Sequence, residues 1–190
     1  VTCGGVGSAT GLATARASRV APRVAPAAGY GGGLALSGGS AGGLMVGATI
    51  NRRPDLFRCA IASVPFVDVL NTMLDASLPL TPVEFTEWGD PGSDAEAFAA
   101  IRAYCPYQNV RAQAYPALYV TAGLGDPRVT YWEPAKWVAR LRRDGTGDAP
   151  ILLRTKMQAG HGGASARFDA LRDLSQEFAF ALNALGRGGD

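Results

Sequence analysis

A serine, an aspartate and a histidine stand in short, glycine-containing segments that each follow an apolar run. Ser40 lies within Gly-Gly-Ser-Ala-Gly, residues 38–42, which fits the G-x-S-x-G pattern of a reactive serine at a sharp strand-to-helix turn. Asp126 and His161, the only histidine, occupy the other two segments. A serine hydroxyl attacks an acyl carbon when a histidine accepts its proton and a carboxylate orients that histidine. These residue types therefore predict acyl-transfer chemistry, with Ser40 as the nucleophile.

The remaining roles follow from the same chemistry. His161 is the expected general base, and Asp126 is the acid expected to orient it. The backbone N–H of Ala41 is the expected donor to the oxyanion, aided by the N-terminus of the helix that follows. The order Ser, Asp, His along the chain is that of the α/β-hydrolase fold and differs from the order in other folds with this triad. We expect neither a metal ion nor an organic cofactor.

The elements that must position Ser40 are a strand, a tight turn and a helix. The apolar run 34–36 predicts a buried strand, and residues 44–51 predict a helix. The turn between them is so sharp that we expect Ser40 to adopt a strained backbone conformation. We also expect Gly38 and Gly42 to leave room where a side chain would collide with the neighbouring strand and helix.

The rest of the chain alternates short apolar runs with helix-compatible segments, which predicts an α/β fold with a parallel sheet and helices on both faces. Loops at the carboxyl ends of such strands are where the sheet presents chemistry. Residues 66–92 contain three prolines among aromatic residues and predict a long insertion loop with short helical pieces. Further strands are predicted over 59–64, 117–121 and 151–154, and helices over 95–104, 134–143 and 165–185, with Asp94 and Ser165 as N-caps.

The composition is that of one globular domain of 190 residues, of which 47% are apolar and 18% charged. A net charge of +2 gives no reason to expect nucleic acid or an anionic membrane as a partner. No apolar run approaches the ~20 residues of a membrane-spanning helix. The three cysteines, Cys3, Cys59 and Cys105, form neither a metal-ligand pattern nor a disulfide framework. This usage suits a reducing compartment, so we expect a cytoplasmic protein.

Residues 1–33 differ from the rest because they contain no acidic residue and show no helical or strand period. We expect a low-complexity leader, disordered or not part of the fold, since such a stretch buries too little apolar surface to offset its ordering entropy. Three origins stay open: a flexible leader, a transit segment that directs the protein to an organelle, and sequence from a truncated or misread upstream region. The folded part is then expected over 34–186.

Two stretches are much more specific than G-x-S-x-G: Val-Pro-Phe-Val-Asp-Val at 64–69 and Trp-Glu-Pro-Ala-Lys-Trp at 132–137. With residues 37–43, 53–57, 87–89 and 126–129, they resemble the prolyl oligopeptidase family of serine peptidases, and within it the oligopeptidase B group. The likeness runs from about residue 34 to about residue 185. It implies the C-terminal part of an α/β-hydrolase catalytic domain, with the three candidate residues as its triad.

The resemblance also implies a substrate, namely short peptides that are cut after Arg or Lys. Glu84 matches the glutamate that binds the P1 guanidinium in this group, and paired charge-assisted hydrogen bonds suit that recognition. Phe66 matches the aromatic residue that lines the same pocket, and Arg128 matches the arginine that holds a substrate carbonyl. Thr86 stands where family members commonly carry a second acid, so the strength of the preference for basic residues stays open.

The family's chain continues far upstream with a β-propeller, the first strands of the hydrolase sheet and a tyrosine that completes the oxyanion hole. Residues 1–33 do not resemble these parts, and Tyr30 is too close to Ser40 along the chain to be that tyrosine. We therefore expect a fragment, with the N-terminal part of the same enzyme as a candidate partner. Two alternatives stay open: an α/β-hydrolase esterase that acts on small esters, and a truncated chain in which no active site assembles.

Overall fold

Four parallel strands form one sheet in the computed structural model, which describes residues 33–163 and 167–187. The strands are β1 (Leu34–Gly39), β2 (Phe57–Ser63), β3 (Ala117–Gly123) and β4 (Ile151–Lys156). Their order in the sheet is β1-β2-β3-β4, the same as their order along the chain. Helical crossovers connect them, as parallel strands require. The predicted α/β class with a parallel sheet is thus confirmed.

The strands extend farther than the apolar runs that predict them. β1 continues through residues 37–39, which pair with residues 61–63 of β2. β3 and β4 likewise continue side by side to Gly123 and Lys156. Small and charged residues carry no apolar signal, but their backbone groups still need partners and complete the ladder. As a result, β1, β3 and β4 each end shortly before one of the three candidate residues.

Six α-helices accompany the sheet in the described ranges: α1 (Ala41–Arg52), α2 (Val69–Leu74), α3 (Thr81–Trp88), α4 (Ala95–Tyr104), α5 (Trp132–Asp144) and α6 (Arg167–Ala184). α2 and α3 are the short helical pieces predicted within the insertion. α4 has its predicted bounds and cap, since an Asp94 carboxylate oxygen accepts a hydrogen bond from the Glu96 N–H at 2.8 Å. The predicted cap Ser165 and residues 1–32 of the predicted leader lie outside the described residues.

Helices cover both faces of the sheet, as predicted. α1 and α5 share one face, whose core includes buried residues from both helices and from the strands: Val46, Ile50, Ala60, Ala62, Leu118, Val120, Trp137, Val138 and Leu141. α6 lies on the other face, where the rings of Tyr119 and Phe180 are 5.5 Å apart. Because side chains alternate along a strand, Leu118 and Val120 pack against α1 and α5, while Tyr119 packs against α6 on the other face.

The face that α6 covers is only partly shielded from water. No residue described in α6 is fully buried, and Phe168 and Phe178 are 80% and 60% exposed. At the edge of the sheet, β1 pairs with β2 on one side and, within the described chain, with no strand on the other. The prediction that the strand at residues 34–36 is buried is therefore wrong, since Leu34 is 46% exposed. None of the described helices is both long enough and apolar enough to cross a membrane.

The insertion between β2 and β3 builds a second, smaller core. Its buried side chains come from α2, from α4 and its C-cap, from the segment before α2 and from the loop after β3: Phe66, Val69, Leu70, Met73, Ile101, Cys105 and Val129. Phe85 and Trp88 of α3 pack against this cluster. Because Val129 belongs to the loop that follows β3, the cluster attaches the insertion to the end of the sheet where the candidate residues lie.

A buried glutamate also connects α5 to the insertion. Glu133 is only 1% exposed, and its carboxylate accepts hydrogen bonds from the Thr72 hydroxyl at 2.7 Å and from the Asp68 N–H at 3.0 Å. Burial raises the pKa of Glu133 from 4.5 to about 7, although these hydrogen bonds act in the opposite direction. The nearby negative charge of Asp68 raises this pKa too, and Asp68 in turn forms an ion pair with Lys136.

We expect Glu133→Gln to change the pH dependence of stability. A carboxyl whose pKa is higher in the folded than in the unfolded chain favours the folded state below pH 4.5, and this contribution is lost as the pH rises through about 7. Between about pH 5 and about pH 8, the wild-type free energy of unfolding should fall by about 2 kcal/mol relative to that of Glu133→Gln. Urea unfolding at both pH values measures the difference.

The control is Glu96→Gln, which neutralises an exposed carboxylate of α4 and should leave the pH dependence of stability unchanged. Parallel pH dependences of the wild type and Glu133→Gln would contradict the assignment of a raised pKa to Glu133.

Candidate active site

Ser40 forms the turn from β1 into α1 in a conformation that residues other than glycine rarely adopt, with φ 53° and ψ −122°. Its backbone fixes the turn: the N–H donates to the Ser63 carbonyl at 3.0 Å, and the carbonyl accepts from the N–H groups of Gly43 and Phe66 at 2.9 and 3.0 Å. The strained conformation predicted from the motif is therefore present. The Ser40 hydroxyl makes no capping hydrogen bond to α1 and is available to other partners.

Two glycines, Gly38 and Gly43, allow the close approaches around this turn. Only Gly38 was predicted from the motif. A Cβ at Gly38 would lie 2.5 Å from the Gly42 carbonyl oxygen, and a Cβ at Gly43 would lie 2.3 Å from the Cβ of Pro65. A Cβ at Gly42 would meet no atom within 4 Å. The prediction that Gly42 leaves necessary room is therefore wrong. Its position faces open space, whereas Gly43 contacts the segment that follows β2.

The structure brings Ser40, His161 and Asp126 together in one series of hydrogen bonds. The Ser40 Oγ lies 3.1 Å from His161 Nε2, and His161 Nδ1 lies 2.8 Å from Asp126 Oδ2. The other carboxylate oxygen of Asp126 accepts from the N–H groups of Arg128 and Val129 at 2.8 and 3.0 Å. The Asp126 side chain is fully buried and that of His161 is 18% exposed, so the series leads from the interior towards the surface.

Two loops that hydrogen-bond to each other position Asp126 and His161. The N–H of Leu124 donates to the Lys156 carbonyl at 2.9 Å, and the N–H of Gly125 donates to the Ala159 carbonyl at 3.2 Å. The loops approach so closely that a Cβ at Gly123 would lie 2.6 Å from the Ala159 oxygen. Because β3 and β4 are adjacent and parallel, the loops that follow them meet at the same end of the sheet.

This arrangement fits the neutral histidine tautomer that carries its proton on Nδ1. That N–H donates to Asp126, and the unprotonated Nε2 accepts the hydrogen bond of the Ser40 hydroxyl. Nε2 is therefore placed to take the serine proton during an attack. Ala41 is the first residue of α1, where helix N–H groups lack partners within the helix, so its N–H is placed to donate to an anion next to Ser40.

A cavity of about 240 Å³ adjoins Ser40 and contains all the residues predicted to bind substrate. It is lined by Ser40, Ala41, Phe66, Thr72, Leu78, Pro79, Leu80, Thr81, Glu84, Glu87, Trp88, Pro127, Arg128, Val129 and Thr130. Thr86 is not among these residues; its hydroxyl lies 3.4 Å from the Val83 carbonyl oxygen on the same helix. The neutral side chain at position 86 therefore removes no acid from this cavity.

Glu84 and Phe66 are held in the cavity by Trp88, for which the sequence predicts no role. The Trp88 indole N–H donates to Glu84 Oε2 at 3.1 Å, and the rings of Trp88 and Phe66 are 5.6 Å apart. Trp88 follows Glu84 by four residues and Glu87 follows it by three, so all three lie on one side of α3. This helical spacing was the sequence signal that could have identified Trp88 and Glu87.

Neither of the two described cysteines has the exposure and lowered pKa of a reactive thiol. Cys59 and Cys105 are free and buried, and burial raises the pKa of both. Cys3 lies outside the described residues. No group of three or more His, Cys, Asp or Glu side chains within residues 33–163 and 167–187 has an arrangement that could hold a metal ion.

Sequence similarity to known proteins covers nearly all of the described chain. Residues 31–188 match the model of the prolyl oligopeptidase family. The chain belongs to the prolyl oligopeptidase family. Protease 2 of Moraxella lacunata and dipeptidyl aminopeptidase BI of Pseudoxanthomonas mexicana are each 50% identical to it over 153 residues, which is 80% of this chain. Both names are those of peptidases, in agreement with the predicted peptidase family.

Solved structures place this family member close to oligopeptidase B. The structure of oligopeptidase B from Leishmania major matches 82% of the chain with a TM-score of 0.80 and 47% identity. That of oligopeptidase B from Trypanosoma brucei with covalently bound antipain matches 80% with a TM-score of 0.79 and 50% identity. The predicted resemblance and the α/β-hydrolase fold are thus confirmed. The chain spans only about a fifth of the length of these relatives, 22% and 21% respectively.

Alanine at the two neighbouring glycines of α1 should have opposite effects on stability. Gly43→Ala should lower the free energy of unfolding by about 1–3 kcal/mol, because its Cβ collides with Pro65. Gly42→Ala should raise it by up to about 1 kcal/mol, because alanine favours helix and the position has space. Urea unfolding of both variants measures these changes. Equal destabilisation by the two substitutions would contradict this description of the turn.

Proposed function

We propose that this chain is part of a serine peptidase of the oligopeptidase B type, which cuts short peptides after Arg or Lys. One observation carries the proposal: Ser40, in hydrogen-bonded series with His161 and Asp126, lines the same cavity as the carboxylate-bearing Glu84. A nucleophile and an acid that can bind a cation thus share one cavity. This combination favours a peptidase with a basic P1 residue over an esterase of neutral esters, in which Glu84 would have no role.

In the proposed reaction, the Ser40 oxygen attacks the carbonyl carbon of the scissile peptide bond while His161 Nε2 accepts the hydroxyl proton. The oxyanion that forms receives a hydrogen bond from the Ala41 N–H. When this intermediate collapses, the C–N bond breaks, His161 gives the proton to the leaving amine, and Ser40 keeps the acyl group. Water then attacks the acyl group with His161 as base and restores the serine. Asp126 stabilises the imidazolium in both halves of the reaction.

The proposed specificity comes from an ion pair inside the cavity. Glu84 pairs with the guanidinium or ammonium of the P1 residue, and the rings of Phe66 and Trp88 keep water from that pair. Excluding water strengthens the attraction because it lowers the effective dielectric constant. Glu87 supplies a second carboxylate to the cavity, and Arg128 is exposed at its wall, where we propose that it binds a substrate carbonyl.

The relatives support a covalent step and a larger enzyme. The Trypanosoma brucei relative carries covalently bound antipain, and we propose that Ser40 forms the covalent intermediate in this chain. Because the chain spans about a fifth of such relatives, we propose residues 34–186 as the C-terminal portion of a catalytic domain. The remainder of the same enzyme is then the proposed partner, and the cytoplasm the proposed location.

A fluorophosphonate probe should label the folded chain at Ser40, since His161 is placed to activate this hydroxyl. Ser40→Ala should abolish labelling, and His161→Ala should slow it about a hundredfold or more through loss of the general base. Ser93→Ala, which removes an exposed hydroxyl before α4, should leave the rate unchanged. Mass spectrometry of the labelled peptides identifies the site. A folded sample that does not label at Ser40 would instead support the alternative in which no active site assembles.

Glu84→Gln should lower kcat/KM for an arginyl amide substrate by about a hundredfold, or about 3 kcal/mol, because a neutral amide cannot form the ion pair. The value for a short neutral ester should change by less than about twofold. Glu96→Gln, outside the cavity, should change neither. If Glu84→Gln affects both substrates equally, or if the wild type prefers the neutral ester, the chain is an esterase rather than a peptidase for basic residues.

A further inference from the structure

Helix α3, which carries Glu84, has a single fully buried residue to anchor it. That residue is Thr81, at the start of the helix, which is 1% exposed. Its hydroxyl donates a hydrogen bond to the Thr72 carbonyl of α2 at 2.9 Å. Thr81 precedes Glu84 by three residues, so a shift at this hydrogen bond moves the first turn of α3 and the Glu84 backbone with it.

Thr72 is held in turn from the other side. Its hydroxyl donates to the Glu133 carboxylate at 2.7 Å, and the second oxygen of that carboxylate accepts from the Asp68 N–H just before α2. One carboxylate therefore holds α2 at its N-cap, Asp68, and at Thr72 within the helix. Together with the bond from Thr81 to Thr72, these contacts form a continuous hydrogen-bonded connection from α5 through α2 to α3.

The α5 end of this connection leads to the other half of the site. Glu133 lies in the first turn of α5, and its N–H donates to the Thr130 carbonyl at 3.0 Å. Thr130 belongs to the loop whose earlier N–H groups, those of Arg128 and Val129, hold the Asp126 carboxylate. The connection thus joins the loop that orients His161 to the helix that carries Glu84.

We propose that Glu133, Thr72 and Thr81 are positioning residues that set where Glu84 lies relative to Ser40, and thereby set the selectivity for a basic P1 residue. This inference rests on the proposed function of Glu84. None of the three residues takes part in the acyl transfer. Burying a carboxylate between two helices carries a desolvation penalty that an apolar pair would avoid. Its hydrogen bonds add a fixed direction and distance between α5 and α2, which an apolar contact does not provide.

The Trp88 indole N–H reports on Glu84 without any need for catalysis, because it donates to the Glu84 carboxylate. In an ¹H–¹⁵N spectrum, Trp88→Phe assigns its signal among those of the three tryptophans. Thr72→Val and Thr81→Val should shift this signal and speed the exchange of its proton with solvent, since each removes one hydrogen bond of the connection. Thr49→Val, which removes a hydroxyl from α1 away from the cavity, should leave the signal unchanged.

Thr72→Ser separates the hydrogen bond from packing, because it keeps the hydroxyl and loses the methyl group, whereas valine does the reverse. The proposal requires that Thr72→Ser retain the wild-type Trp88 signal while Thr72→Val loses it. If serine and valine at position 72 shift the signal equally, or if neither shifts it, the positioning role is overturned. Thr72→Val leaves the backbone carbonyl that Thr81 uses, so it gives a result even if Thr81→Val does not fold.

Binding of benzamidine, measured by calorimetry, connects the geometry to selectivity. The Kd should rise about tenfold in Thr72→Val and Thr81→Val and return towards the wild-type value in Thr72→Ser. Thr49→Val, which lies outside the cavity, should keep the Kd within about twofold of the wild-type value. A wild type that labels but does not bind benzamidine would contradict the role proposed for Glu84, and the Trp88 signal would still decide whether the connection positions α3.

Discussion

The strained turn at Ser40 is the constraint on which the rest of the site depends. Its backbone N–H and carbonyl are tied to Ser63 and Phe66, and the close contact of Gly43 with Pro65 presses α1 against the segment that leaves β2. These contacts hold the unfavourable φ of Ser40, as strained residues require. They also fix where that departing segment begins its path. The position of the nucleophile and the position of the insertion that builds the cavity are therefore set by one local structure.

The parallel sheet brings Asp126 and His161 to Ser40. Asp126 and His161 are 35 residues apart along the chain, and Ser40 and His161 are 121 apart. All three nevertheless lie close together, because each follows the carboxyl end of a strand and the strands are parallel. Hydrogen bonds between the two loops, from Leu124 to Lys156 and from Gly125 to Ala159, refine this placement. The Asp126 side chain is fully buried and accepts three hydrogen bonds, one of them from His161. The orientation of the His161 ring is therefore fixed by a carboxylate that is itself held in place.

Most of the fold could be predicted from the sequence because apolar runs and glycine-rich turns are local signals. Strand ends were harder to predict, since residues 37–39 of β1 pair through their backbones and have no apolar side chains. The error at Gly42 has a different origin: the close contact is between Gly43 and Pro65, and sequence spacing alone could not place Pro65 next to Gly43 rather than Gly42. Glu84 was found through resemblance, and Trp88 could have been identified from its helical spacing with Glu84. The link from Thr81 through Thr72 to Glu133 depends on contacts between separate helices, which the sequence does not reveal.

The matching order of strands in the sheet and along the chain bears on how such a site comes into being. Each strand lies beside the one that precedes it along the chain, so the three residues of the series come together only when all four strands are paired. The nucleophile sits after the first described strand and its base after the last. A partly made sheet would present a strained serine with no proton acceptor. A complete hydrolytic site would therefore exist only once β4 is paired with β3.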